Sequence, residues 1–298
     1  MNTLIFSFLT LCGYLVTAAE ADYPRRELLI EPAALARPEA AGRFVLLDAR
    51  DRKSFDRERI PGARWVDAAA WAKAFDNGKD AQGWSARIGS LGVGRRSKVV
   101  VYDDGLFKDA GRVWWILRYW GLQDVRLLNG NWTGWKKAGL PTETDTPQPP
   151  KTAEFLALGR PRRLATKDQL LAALRTAGLQ LVDARSEAEF CGVDKGKNPR
   201  AGAIPRAKHL EWTDLIDKPT QRFKTSDQLR QLFAAAGIEL DKPTATYCQS
   251  GGRASVMAFG LELMGAADVS NYYASWAEWS SAADTPLATP KPAKKPSG

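Results

Sequence analysis

Short apolar runs bounded by polar turns alternate along this chain with stretches whose apolar residues recur every three to four positions. Phe44-Val45-Leu46-Leu47, Val99-Val100-Val101 and Thr244-Ala245-Thr246-Tyr247 have the length and composition of buried strands. Behind the second run, Val113, Ile116, Leu117 and Trp120 fall at i, i+3, i+4 and i+7, the spacing of one helix face, and Gly121 follows as a C-cap. Val256, Phe259, Gly260 and Leu263, followed by Gly265, repeat that pattern behind the third run. Strands that each feed a helix predict an α/β fold, a parallel sheet flanked by helices. In open sheets of this kind ligands bind beyond the carboxyl ends of the strands, which directs attention to the residues after Tyr102 and Tyr247.

Several segments return half a chain later, and a repeat of that size predicts two duplicated domains. Leu47-Asp48-Ala49-Arg50 returns as Val182-Asp183-Ala184-Arg185, and Ile60-Pro61-Gly62-Ala63 loosely as Ile204-Pro205-Arg206-Ala207. Val101-Tyr102-Asp103 returns as Thr246-Tyr247-Cys248, and Trp132-Thr133-Gly134-Trp135 as Trp276-Ala277-Glu278-Trp279. Spacing is kept except between the Asp-Ala-Arg and Ile-Pro segments, where the second copy carries an insertion around Gly192 to Arg200. Between the copies, Pro141, Pro147, Pro149 and Pro150 mark an extended linker. The expected domains are 27–140 and 154–285, joined by 141–153, with a disordered tail over 286–298 that is rich in Pro, Lys and Ala.

Composition changes the picture at four points. The 298 residues, 44% of them hydrophobic, suffice for two domains with cores of their own. Leu4 to Ala19 is apolar and ends in small residues, Ala19-Glu20-Ala21, so residues 1–21 read as a secretory signal peptide and the mature protein as periplasmic or secreted, with no membrane segment. Of the three cysteines, Cys191 and Cys248 would remain after leader removal, too few for a disulfide framework, and Cys191 reads as a free thiol. The net charge of +9 is spread along the chain without a nucleic-acid motif, so it predicts attraction for small anions rather than a nucleic-acid partner.

Cys248 carries the chemistry. It ends a strand and opens the turn Gln249-Ser250-Gly251-Gly252-Arg253 before a helix. Successive backbone N–H groups in such a turn form an anion-binding nest, the helix N-terminus adds partial positive charge, and Arg253 can add a full one. All three favour a usable thiolate. Gly251 and Gly252 would allow positive φ and close backbone approach.

In their order and duplication these segments resemble the rhodanese family, specifically its tandem-domain sulfurtransferases, from about Leu28 to Trp279. The resemblance implies two tandem rhodanese-like domains, the first inactive because Asp103 stands where Cys248 stands in the second. It implies that Cys248 takes sulfane sulfur from a small anionic donor such as thiosulfate, forms a persulfide, and passes the sulfur to cyanide or a thiol, with no cofactor. The N–H groups of Gln249 to Ala254 would stabilise the persulfide charge as an oxyanion hole does. Arg185 matches a family arginine that binds the donor anion, with Asp183 orienting it or the loop. Thiosulfate-preferring members resemble Cys-Arg-Lys-Gly and mercaptopyruvate-preferring ones Cys-Gly-Ser-Gly, whereas here neutral Gln249 and Ser250 follow the cysteine. Thiosulfate stands first and 3-mercaptopyruvate second, while a secreted sulfur carrier or redox module is the non-enzymatic alternative.

Other cysteine chemistries fit less well. Phosphatases use Cys-x5-Arg, but only residues 249–252 separate Cys248 from Arg253, a tighter cradle suited to sulfur. A protease would require a histidine base, and the single histidine, His209, falls in an expected strand. No cluster of Cys, His, Asp and Glu has metal-ligand spacing, so no metal is expected.

Overall fold

A computed structural model describes residues 22–291 apart from residue 177; the expected signal peptide and residues 292–298 lie outside the described residues. The first sheet comprises β1 (Leu29–Ile30), β2 (Val45–Asp48), β3 (Arg64–Trp65), β4 (Val99–Tyr102) and β5 (Val125–Leu128), all parallel, in the order β1-β5-β4-β2-β3. The second half follows with β6 (Gln180–Asp183), β7 (Lys208–His209), a small hairpin of β8 (Ile216–Asp217) and β9 (Arg222–Phe223), then β10 (Thr244–Tyr247) and β11 (Val269–Asn271). Its parallel sheet runs β11-β10-β6-β7. Each chain half is thus an α/β domain with helices on its sheet. Strands β4 and β10 are buried throughout, as a parallel strand covered on both faces must be, and Thr246 in β10 satisfies its hydroxyl on the Ala254 carbonyl at 3.0 Å.

The repeated segments prove to be one buried network built twice. Asp48 holds Arg50 through a fork closing to 2.6 Å, Tyr102 donates to the same carboxylate at 2.6 Å and accepts from the Ile60 N–H at 3.3 Å, and Trp132 covers the guanidinium at 4.1 Å. In the second domain Asp183 holds Arg185, Tyr247 accepts from the Ile204 N–H at 3.1 Å, and Trp276 lies 4.4 Å from the guanidinium. The second tryptophan of each pair fastens the chain as it leaves its domain, Trp135 on the Pro141 carbonyl at 2.8 Å and Trp279 on that of Pro286 at 2.9 Å.

The domains meet along helices Lys108–Tyr119 and Gly252–Leu263, both largely buried; the second is apolar on nearly every face, whereas the first brings Arg112 into the interface. They approach closely: a Cβ on Gly111 would stand 2.9 Å from a Val256 methyl. Tyr273 of the second domain stacks on Trp115 at 5.2 Å and lies 4.7 Å from Phe75, inside an aromatic cluster of the first. Each such side chain fully removed from water contributes about 1.5–3 kcal/mol, which accounts for the tryptophan richness by packing.

Two boundaries differ from expectation. Residues 153–160, placed by the sequence across the start of the second domain, form a strap bonded to the first: Ala153 N–H donates to Gly89, Leu158 to Trp120 and Arg160 to Tyr119. Disorder from residue 286 is not observed, because Ala288 exchanges both backbone hydrogen bonds with Ala203 at 2.9 Å. Composition suggested disorder there, but two buried partners hold the segment. No helix among the described residues is long and apolar enough to cross a membrane.

Candidate active site

Cys248 lies directly beyond β10, buried and free, ahead of the helix that starts at Gly252. Its backbone N–H donates to Ser275 Oγ at 3.1 Å, and the Gly251 N–H donates to the same oxygen at 3.2 Å. Ser275 therefore closes the loop from beneath, and the Gly251 N–H, counted among the expected cradle donors, is already bonded to it. Gly251 takes φ +82°, and a Cβ there would meet the Tyr273 ring at 2.5 Å, so conformation and space both require glycine. At Gly252 the close approach is made by a side chain, with a Cβ falling 2.5 Å from Arg112 Nη2.

The first domain displays what such a loop binds. Asp103 follows β4 as Cys248 follows β10, and its carboxylate accepts from the N–H groups of Gly105 (3.0 Å), Phe107 (3.0 Å), Asp109 (3.1 Å) and Ala110 (2.9 Å). Asn131 adds its side-chain amide at 2.9 Å and receives the Asp103 N–H, the place Ser275 takes in the second domain. Burial pushes the Asp103 carboxyl up, the amides of Ala110 and Phe107 pull it back, and it settles at about 6, leaving it charged at neutral pH. This loop is one residue longer than the Cys248 loop, and Leu106 and Phe107 both adopt left-handed φ without being glycine. From the second domain Gln221 closes it, donating to the Asp104 carbonyl at 3.2 Å and accepting from Asn131 at 3.3 Å.

The other expected site residues divide into two groups. Arg253 does not point to solvent: Nη1 and Nη2 both donate to Glu189, at 2.6 and 2.8 Å, with Cys248 close enough to act on its charge. Burial opposes the Arg253 charge, but the Glu189 bond and the neighbouring Cys248 outweigh it and hold its pKa above the ordinary guanidinium value. Glu189, partly buried, is brought down to about 2 by Arg253 and by Ser186. Gln249 turns its side chain to the insertion, exchanging two amide hydrogen bonds with Asn198 at 3.1 and 2.8 Å. Ser250 presents its carbonyl to Arg112 at 2.9 Å.

Arg185, which the resemblance assigns to the donor anion, sits 1% exposed beneath the loop, with its guanidinium bonded to Asp183 and to the Gly202 carbonyl. Arg50 is held in the same way in the domain that has no cysteine. The pair recurs where there is no nucleophile, which marks it as part of the fold, and in this position the Arg185 guanidinium is taken up by Asp183 and the Gly202 carbonyl. His209 bonds the Arg185 carbonyl at 2.8 Å and stacks on Phe190. Cys191 is buried at the end of its short helix, and burial pushes its thiol up.

A cleft of about 420 Å3 opens beside the loop, walled by Lys73, Asp76, Asn77 and Arg112 from the first domain and by Ser250 and Tyr273 from the second, with Cys248 itself buried behind this wall rather than lining it. The sequence had not singled out Arg112, Tyr273, Glu189 or Ser275. Ser275 was findable, since it precedes Trp276 as Asn131 precedes Trp132. Arg112 acts across a domain boundary and leaves no local signal.

Comparison with known proteins bears on the whole chain. Residues 31–138 and 166–282 each match the family model described as a rhodanese-like domain. The human 3-mercaptopyruvate sulfurtransferase is 33% identical over 266 residues, covering 83% of this chain and 88% of that protein. The Azotobacter vinelandii thiosulfate sulfurtransferase is 31% identical over 270 residues, covering 89% and 98%. Among solved structures, SseA from Escherichia coli, described as a 3-mercaptopyruvate sulfotransferase of rhodanese fold, superposes with a TM-score of 0.71 at 27% identity, covering 84% of this chain and 98% of that one.

Proposed function

The chain belongs to the rhodanese family, two of its domains standing in tandem, and on that premise we propose a sulfurtransferase that carries sulfur on Cys248. In the first half-reaction the Cys248 thiolate attacks the outer sulfur of thiosulfate; an S–S bond forms to the enzyme as the donor's S–S bond breaks, and sulfite leaves with the bonding pair. In the second, cyanide or a thiolate attacks the outer sulfur of the persulfide and restores the Cys248 thiolate. The charge on the persulfide is met by the amides at the start of helix Gly252–Leu263 and by the helix N-terminus.

One observation carries this reading. The Asp103 carboxylate is held by four backbone amides in the sister loop, which supports an anion-holding role for the shorter Cys248 loop. Thiosulfate is the first donor proposed. Ser250 and Gly251, together with relatives named 3-mercaptopyruvate sulfurtransferase, favour that donor as the second. The leader-like residues 1–21 support an exported enzyme, which N-terminal sequencing of the mature protein tests.

The function is tested by incubating the protein with cyanide and either thiosulfate or 3-mercaptopyruvate and measuring thiocyanate. Turnover is expected with at least one donor, and Cys248→Ser should lower it by on the order of a thousandfold or more. Absence of thiocyanate with both donors, with parent and Cys248→Ser alike, would leave the carrier or redox reading in its place.

A further inference from the structure

Arg112 belongs to the domain without a nucleophile, yet it lies against the nucleophile's loop. As the fifth residue of helix Lys108–Tyr119, it donates through Nη1 to the Ser250 carbonyl at 2.9 Å and to the Tyr273 hydroxyl at 2.6 Å. It is only 7% exposed, and it lines the cleft beside Ser250. Among the described residues the other buried arginines each hold a carboxylate: Arg50 with Asp48, Arg59 with Glu143 and Asp145, Arg185 with Asp183. Arg112 makes no such pair, and its Nε and Nη2 donate to no described acceptor. Asp76 lines the same cleft and Asp109 lies one turn earlier on the helix, but neither bonds Arg112, and a largely buried guanidinium without a direct carboxylate partner favours an anion that can share the site.

The two interdomain helices sharpen the point, because they are of equal length and face each other. The fifth residue of the second helix is Val256, which packs on Gly111. At this helix position the second domain presents an apolar side chain to Gly111 of the first, whereas the first presents a cation to the Cys248 loop. Gln221 closes the Asp103 loop, while Asn77, its counterpart in the first repeat and likewise at positive φ, stands at the wall of the open cleft.

We infer that Arg112 is the oxyanion-binding residue of the active site, taking the sulfonate of thiosulfate or the carboxylate of 3-mercaptopyruvate through its Nε and Nη2 groups while Cys248 attacks the donor's terminal sulfur. The inference rests on the sulfurtransferase reading. It supplies from the other domain the charge that Gln249 and Ser250 lack, and which Arg253, tied to Glu189, does not offer freely. The inactive domain then sets donor recognition.

Calorimetric titration of the Cys248→Ser protein reads binding without turnover, with thiosulfate as the sulfonate arm and pyruvate as the carboxylate arm. Adding Arg112→Gln should weaken one or both anions about ten- to a hundredfold, and Arg112→Lys, which keeps the charge but not the fork, by about two- to tenfold. Loss in one arm alone assigns the donor's oxyanion. Unchanged affinity in both arms would overturn the inference, and Arg112→Lys decides it if Arg112→Gln does not fold. In the active protein, Arg112→Gln should raise KM for the donor while cyanide discharges a preloaded persulfide at the parent rate. A fall in kcat with KM unchanged would mean that Arg112 only shapes the loop, and would also overturn the inference. If the parent turns over neither donor, the sulfurtransferase reading fails, but the titration still decides whether Arg112 binds an oxyanion.

Discussion

The Asp103 and Cys248 loops leave equivalent strands and enter helices of equal length, yet one holds a carboxylate of its own and the other a buried thiol beside a cleft. In the first, Asp103 places its own carboxylate on four amides and Gln221 covers the turn. In the second, a thiol stands in place of the carboxylate, Gly251 alone takes the left-handed φ that Leu106 and Phe107 share in the first loop, and a cation from the partner domain borders the cleft. The difference teaches that the anion cradle is a property of the strand–turn–helix unit, whereas reactivity depends on which side chain feeds it. The duplicated domain without a nucleophile keeps the cradle as internal structure and gives the other domain a wall.

The largest effect that could break the comparison concerns what the domains share. If Asp48–Arg50 and Asp183–Arg185 are both structural, Arg50→Met and Arg185→Met should each destabilise by about 3–5 kcal/mol, since each leaves a carboxylate buried without its partner. Urea unfolding measures this. A stable Arg185→Met protein with selectively raised donor KM would restore Arg185 to the donor site.

A smaller effect separates the loops. Gly251→Ala meets both a positive φ and the Tyr273 ring and should cost about 1–3 kcal/mol, with activity falling as the loop shifts, whereas Leu106→Gly relieves strain in the first loop and should cost less. Equal costs would mean that glycine is not what sets the shape of the Cys248 loop.

Smaller still is a pair of opposite pH dependences. Glu189 is held at about 2, below its ordinary 4.5, so its bond to Arg253 stabilises the fold above pH 4.5 and is lost as pH falls toward 2. Glu189→Gln should therefore be less stable than the parent at pH 7, by about 2 kcal/mol after allowance for partial exposure, with the gap closing in acid. Asp103, raised from 3.8 to about 6, contributes in the other sense: folding favours its protonated form, so its contribution is fullest below pH 4 and falls as pH rises through 6. Relative to Asp103→Asn, the parent should gain stability as pH drops from 7 to 4. Parallel slopes for the two variants in pH-dependent urea unfolding would contradict this assignment.

The sequence was informative where signals were local or duplicated. Helix spacing placed Val113–Trp120 and Val256–Leu263, and the paired segments exposed both domains and the Cys248 loop. It misled where identical residue types serve different ends. Arg185 looks like an anion binder until Arg50 is seen doing the same work in the domain without a cysteine. Residues 286–291 read as disordered because composition does not reveal that Ala203 bonds Ala288 and Trp279 bonds Pro286. Arg112, Glu189 and Tyr273 were hidden because their roles arise from contacts between elements far apart in the chain.

The central claim is that the second loop carries sulfur on Cys248. Peptide mass spectrometry of the protein after thiosulfate, without acceptor, tests it most directly. The account predicts one added sulfur atom on the peptide containing Cys248, removed by cyanide and absent from Cys248→Ser. Sulfur found instead on the Cys191 peptide, or retained by Cys248→Ser, would contradict it.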